Sequence, residues 1–159
     1  MLDAMLAAFG PFIPWLIAFA VVAVVATAPL PTRSVGERRR DIWRGFRFES
    51  RRRVMGRAGG RCESASLVFW LRCPDAAVEA DHVYPWSKGG ATTISNGQAL
   101  CSGHNRAKSS MTPPWWYVLL LERRRRRYFP TGEDVRVFAT MTSEDLAARE
   151  TWQAKRSRR

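Results

Sequence analysis

The chain has 159 residues, with 26 Lys and Arg against 14 Asp and Glu, a net charge of +12. That length accommodates one small domain with accessory segments, and the basic excess favours a polyanionic partner, either nucleic acid or an anionic membrane surface. Three cysteines, an odd and small number, argue against a disulfide framework.

Residues 1–32 contain one charge, Asp3, so the whole basic excess lies in residues 33–159. The uncharged stretch 4–32 is expected to be a transmembrane segment, at about 1.5 Å of rise per helical residue. Pro11 and Pro14 put its regular part between Pro14 and Ala28, with Trp15 at an interface. Arg33, Arg38, Arg39 and Arg40 follow it, and the positive-inside rule then places the remainder in the cytosol, held to the cell membrane by a single pass. A cleaved signal peptide fits less well. There is no basic n-region, and Pro29 directly follows the Ala26-Thr27-Ala28 site.

Residues 33–56 read as a basic connector with Trp43, Phe46 and Phe48 interspersed. Its arginines would contact either DNA or lipid. The run SRRRVMGRAGG predicts a short helix ending at Gly59-Gly60. Within residues 57–111, AAVEADHVYP alternates as a strand carrying Asp81 and His82 at its end. PWSKGG is a turn, residues 97–101 form a returning strand, and HNRAKSS begins a short helix. Residues 112–159 read as a basic helical extension. Pro113-Pro114 open a helix with an apolar body around Val118 and Leu121. Arg123, Arg124, Arg125, Arg126 and Arg127 are expected on its exposed end, as a solvated face or as a grip on the DNA backbone. Thr142-Ser143-Glu144-Asp145 resembles a capping box and starts a final helix. The KRSRR tail is expected to be mobile.

All three cysteines, Cys62, Cys73 and Cys101, and both histidines, His82 and His104, fall between positions 62 and 104. Metal binding would explain that clustering. A hairpin followed by a helix can also bring Asp81, His82 and Asn105 around one point. Phosphodiester hydrolysis needs an activated water, a cation and alignment. A neutral imidazole suits the base. A carboxylate and an amide oxygen suit Mg²⁺.

The segment resembles the HNH endonuclease family. The resemblance rests on Asp81-His82 with Pro85, Gly89-Gly90, Asn96, Leu100-Cys101-Ser102-Gly103-His104-Asn105 and Lys108. The lead-in Arg57-Ala58-Gly59-Gly60-Arg61-Cys62-Glu63 also matches. It covers about 50 residues and implies an α+β fold, a ββα-metal hairpin and helix. By position it implies His82 as general base and Asp81 and Asn105 as holders of catalytic Mg²⁺ or Mn²⁺. Asn96 would brace the loop, and Lys108 would lie near phosphate or pack locally. The third motif letter is Asn rather than His. Many members hold a structural zinc with two Cys-x-x-Cys pairs. Here Ala65 and His104 replace two of those cysteines, and Cys73 is extra. Cys62, Cys73, Cys101 and His104 nevertheless make a Cys₃His set fit for Zn²⁺. The alternatives are buried cysteines without zinc, or His104 as a catalytic ligand.

The sequence therefore reads as a membrane-anchored nuclease domain that cuts DNA, with further nucleic-acid contacts at Lys88, Arg106, Lys108 and Arg123–Arg127. The rivals are a catalytically silent DNA-binding module and a basic membrane-surface protein.

Overall fold

The computed structural model describes residues 10–27, 40–66 and 71–158. In chain order it holds α1 (Ile13–Thr27), α2 (Phe48–Arg57), β1 (Glu79–His82), β2 (Gly97–Leu100), α3 (Ser102–Lys108), α4 (Trp115–Arg125) and α5 (Ser143–Ser157). Short 3₁₀ turns occupy Gly10–Phe12 and Trp86–Lys88. The mixed helix and two-strand content agrees with the expected α+β class.

β1 and β2 pair antiparallel, with Glu79 opposite Leu100, Asp81 opposite Gln98 and His82 opposite Gly97. All four β2 residues are buried, because both faces of the strand are covered. On one side Phe46, Val54 and Ala58 pack with Ala99. On the other, the Gln98 amide donates to the Tyr117 hydroxyl of α4 at 2.8 Å. A second apolar cluster joins Val83 and Tyr84 to Val118 and Leu121 of α4 and to Val137 and Ala139. Each such aliphatic burial contributes about 1.5–3 kcal/mol, and together they seat α4 on the chain leaving β1.

The local signals act as their chemistry dictates. α2 ends at Arg57, and Gly59 and Gly60 take left-handed φ of 62° and 64°, conformations that glycine adopts without steric cost. α5 opens with a reciprocal cap: Thr142 Oγ1 accepts from the Asp145 amide at 3.2 Å, and Asp145 Oδ2 accepts from the Thr142 amide at 3.0 Å. This helix continues through Ser157, so most of the tail expected to be mobile is helical.

Two expectations need correction. α1 spans 15 residues, about 22 Å at 1.5 Å per residue against a hydrocarbon core of about 30 Å. No helix among the described residues is long and apolar enough to cross a membrane. The rest of the expected span, residues 4–9 and 28–32, lies outside the described residues. The arginine run is also not one exposed stripe. Arg123, Arg126 and Arg127 are exposed, but Arg124 and Arg125 are buried. Arg125 falls one helical turn beyond Leu121 and two beyond Val118, so it continues their buried face. Its Nε donates to Glu63 Oε1 at 2.8 Å and its Nη2 to the Gly97 carbonyl at 2.7 Å. Glu63, itself fully buried, also accepts from the Tyr128 hydroxyl at 2.9 Å and the Ala99 amide at 2.7 Å. Buried charges persist only when paired and hydrogen-bonded in this way.

Candidate functional site

His82 ends β1 and is 5 % exposed. Its Nε2 lies 2.9 Å from Thr92 Oγ1. The Thr92 hydroxyl carries one proton and donates it to the Trp43 carbonyl, which can only accept. Thr92 Oγ1 must therefore accept from His82. The neutral imidazole carries its proton on Nε2 and presents a lone pair at Nδ1. Phe46 lies against the ring, with centroids 4.8 Å apart. Nδ1 stands 3.7 Å from Asp81 Oδ1, beyond hydrogen-bond distance.

Residues two apart on a strand project to one face, and on β1 that face meets α3. Lys108 Nζ donates to Asp81 Oδ2 at 2.8 Å, and the Asn105 side-chain amide donates to Glu79 Oε2. Burial pushes the Asp81 carboxyl up, but Lys108 and the His82 backbone amide beside it outweigh burial and hold it below its ordinary range. Asp81 is therefore a carboxylate at neutral pH. With the amide nitrogen of Asn105 directed to Glu79, its Oδ1 is the atom it can offer a cation. Two hard oxygen donors, Asp81 and Asn105, thus suit a magnesium-type ion.

Asn96 is completely buried. Its Oδ1 accepts from the Tyr84 amide at 2.9 Å, and its Nδ2 donates to the carbonyls of Tyr84 at 3.0 Å and Ala91 at 2.8 Å. It ties both ends of the 84–91 loop together, so its role is to brace. Gly90 permits this closeness, since a Cβ there would lie 1.9 Å from the Tyr84 carbonyl oxygen.

Cys62, Cys73, Cys101 and His104 converge, with their ligand atoms all within 4.8 Å of one another. The backbone segments that carry Cys62 and Cys73 run antiparallel beside each other: the Cys62 amide donates to the Asp75 carbonyl and the Cys73 amide to the Ser64 carbonyl, each at 2.9 Å. Cys101 precedes α3 and His104 lies in its first turn, which brings Cys101 Sγ to 3.2 Å and Cys62 Sγ to 3.7 Å from His104 Nδ1. Ligands about 2.0–2.3 Å from a tetrahedral Zn²⁺ are separated by about this much. Burial pushes the Cys62 thiol up to about 12 and raises Cys73 as well. Without a cation these groups stay neutral thiols, and a bound Zn²⁺ would displace their protons.

Residues 70–110 match the family model described as HNH endonuclease. That segment is similar to HNH endonucleases. The match contains Asp81, His82, Asn96, Asn105, Lys108 and three of the four Cys/His residues. Cys62, Glu63, α2, α4 and α5 lie outside it. No curated protein and no solved structure matches the chain significantly. The match covers 41 of the 159 residues and is a likeness of that segment alone.

The β1–β2 hairpin and α3 carry Asp81, His82, Lys88, Asn96, His104, Asn105, Arg106 and Lys108, with Cys101 at the junction between them; Cys62, Cys73 and Arg123–Arg127 lie outside. Lys88 and Arg106 are exposed. Thr92, Asp41, Arg149 and Glu79 were not singled out in the sequence, and Phe46 was noted there only as part of the basic connector.

Proposed function

We propose that this chain is an endonuclease that hydrolyses DNA phosphodiester bonds, with His82 as general base and a divalent cation held by Asp81 and Asn105. The observation that carries this reading is the forced tautomer of His82. Its one basic nitrogen, Nδ1, lies beside the Asp81 carboxylate rather than being spent on an internal hydrogen bond.

Nδ1 takes a proton from a water molecule, whose oxygen attacks phosphorus in line. The bond to the 3′ oxygen breaks, leaving 5′-phosphate and 3′-hydroxyl ends. Mg²⁺ or Mn²⁺ would neutralise charge developing on the phosphate and the leaving oxygen. Lys108 holds the Asp81 carboxylate ionised, and Asn96 keeps the hairpin loop at its length. A structural Zn²⁺ in the Cys₃His set would fix the start of α3, and with it Asn105. Exposed Lys88, Arg106, Arg123, Arg126 and Arg127 would contribute sequence-independent phosphate contacts.

The test incubates the full chain with supercoiled plasmid in Mg²⁺, Mn²⁺ or EDTA, beside His82→Ala. Metal-dependent nicking or linearisation that the variant loses supports the assignment. Equal cleavage by His82→Ala, with contaminating nuclease excluded, rejects His82 as the base. A folded chain that binds DNA and cuts none under any metal favours the silent binding module.

A further inference from the structure

The Thr92 hydroxyl that sets the His82 tautomer sits on a loop, and a loop hydroxyl needs support to hold one orientation. That support comes from two residues far outside the HNH segment. Asp41 Oδ2 accepts from the Thr92 amide at 2.9 Å, and its Oδ1 accepts from the Trp43 amide at 2.9 Å. Arg149 of α5 donates from Nη2 to the Thr92 carbonyl at 2.8 Å and to Asp41 Oδ2 at 3.0 Å. Its guanidinium also stacks 3.8 Å above the Trp43 ring. Thr92 is thus gripped at both its N–H and its C=O, and Trp43, which receives the Thr92 hydroxyl proton, is fixed by the same pair. Asp41 and Arg149 are 3 % and 6 % exposed, so neither is an ordinary surface charge.

We propose that Asp41 and Arg149 are positioning residues for His82, acting through Thr92 to hold the imidazole as the Nε2–H tautomer with Nδ1 basic. The catalytic importance of this brace rests on His82 being the base; its effect on the imidazole does not. The chain has only two histidines, His82 and His104, so ¹⁵N-histidine labelling resolves both rings in the full chain. Removing outer hydrogen-bond partners of a site typically costs about 10–100-fold in activity.

The experiment compares wild type with Thr92→Val, Thr92→Ser, Arg149→Lys and Asp41→Asn, by ¹⁵N tautomer signals and by kcat and KM on plasmid DNA. Wild type and Thr92→Ser should show Nε2–H. Thr92→Val and Arg149→Lys should gain Nδ1–H signal and lose about 10-fold or more in kcat, with KM changed by less than about twofold. Unchanged tautomer signals in both Thr92→Val and Arg149→Lys overturn the proposal, as does a loss confined to KM. Should Asp41→Asn fail to fold, the charge-preserving Arg149→Lys and the Thr92 pair decide the matter. Should the wild type cut no DNA, the tautomer signals still decide whether the brace exists.

Discussion

The Asn105 side-chain amide donates to the Glu79 carboxylate, so the first β-strand dictates which way an α3 side chain faces. Glu79→Leu removes that acceptor and frees the amide to rotate. Catalysis should then need several-fold more Mg²⁺, with an overall loss of about 10-fold, measurable as the Mg²⁺ dependence of plasmid nicking. Unchanged Mg²⁺ dependence would mean that Asn105 is oriented by something else.

The Cys₃His set should bind one Zn²⁺, and cobalt should substitute with a thiolate charge-transfer band that Cys73→Ser weakens. Chelation should destabilise the fold. At about 2–4 °C per kcal/mol for a chain of this size, a loss of about 5 kcal/mol lowers Tm by more than about 10 °C. Calorimetry with and without a strong chelator measures it.

Gly90→Ala would place a methyl group 1.9 Å from the Tyr84 carbonyl oxygen and 3.0 Å from Asn96 Nδ2. Backbone, not a flexible side chain, stands in the way. Overpacking of this kind costs about 1–3 kcal/mol, and because it pries open the loop that Asn96 closes, the upper end is expected. Urea denaturation should show a lower midpoint with an unchanged slope.

Burial pushes the Asp41 carboxyl up, but Arg149 and the amides of Trp43 and Thr92 outweigh it and hold the group below its usual 3.8. A depressed carboxyl contributes stability that is fully present above its unfolded pKa and fades as pH falls through the folded one. Wild type should therefore exceed Asp41→Asn in stability by a constant margin at neutral pH. That margin should shrink below about pH 3.9. Thermal denaturation of both proteins across pH 2–7 checks it; a margin that stays constant to pH 2 would count against the assignment.

Much of the HNH site was legible because its spacing is local. Asp81, His82, Asn96, Asn105 and Lys108 sit within one hairpin and one helix turn, where neighbours in sequence become neighbours in space. The cysteines and His104 were legible by chemical type, since so few residues can hold a soft metal. Asp41 and Arg149 were not legible: a pairing across 108 positions leaves no periodicity or motif. The burial of Arg125 had a signal, the i, i+3, i+7 series from Val118 through Leu121, but its neighbours in the arginine run masked it. The regular part of α1 was legible from its prolines, expected over Pro14–Ala28 and found over Ile13–Thr27.

Chains leave the ribosome N-terminus first, and contacts between distant positions form only after the intervening loop closes. The whole HNH segment emerges before α5 does. Until Arg149 reaches Asp41, a nascent chain carries every motif residue while the Thr92 carbonyl and the Asp41 carboxylate lack their guanidinium partner. On the proposed reading, a copy that lacks α5 would be a poor cutter despite an intact motif.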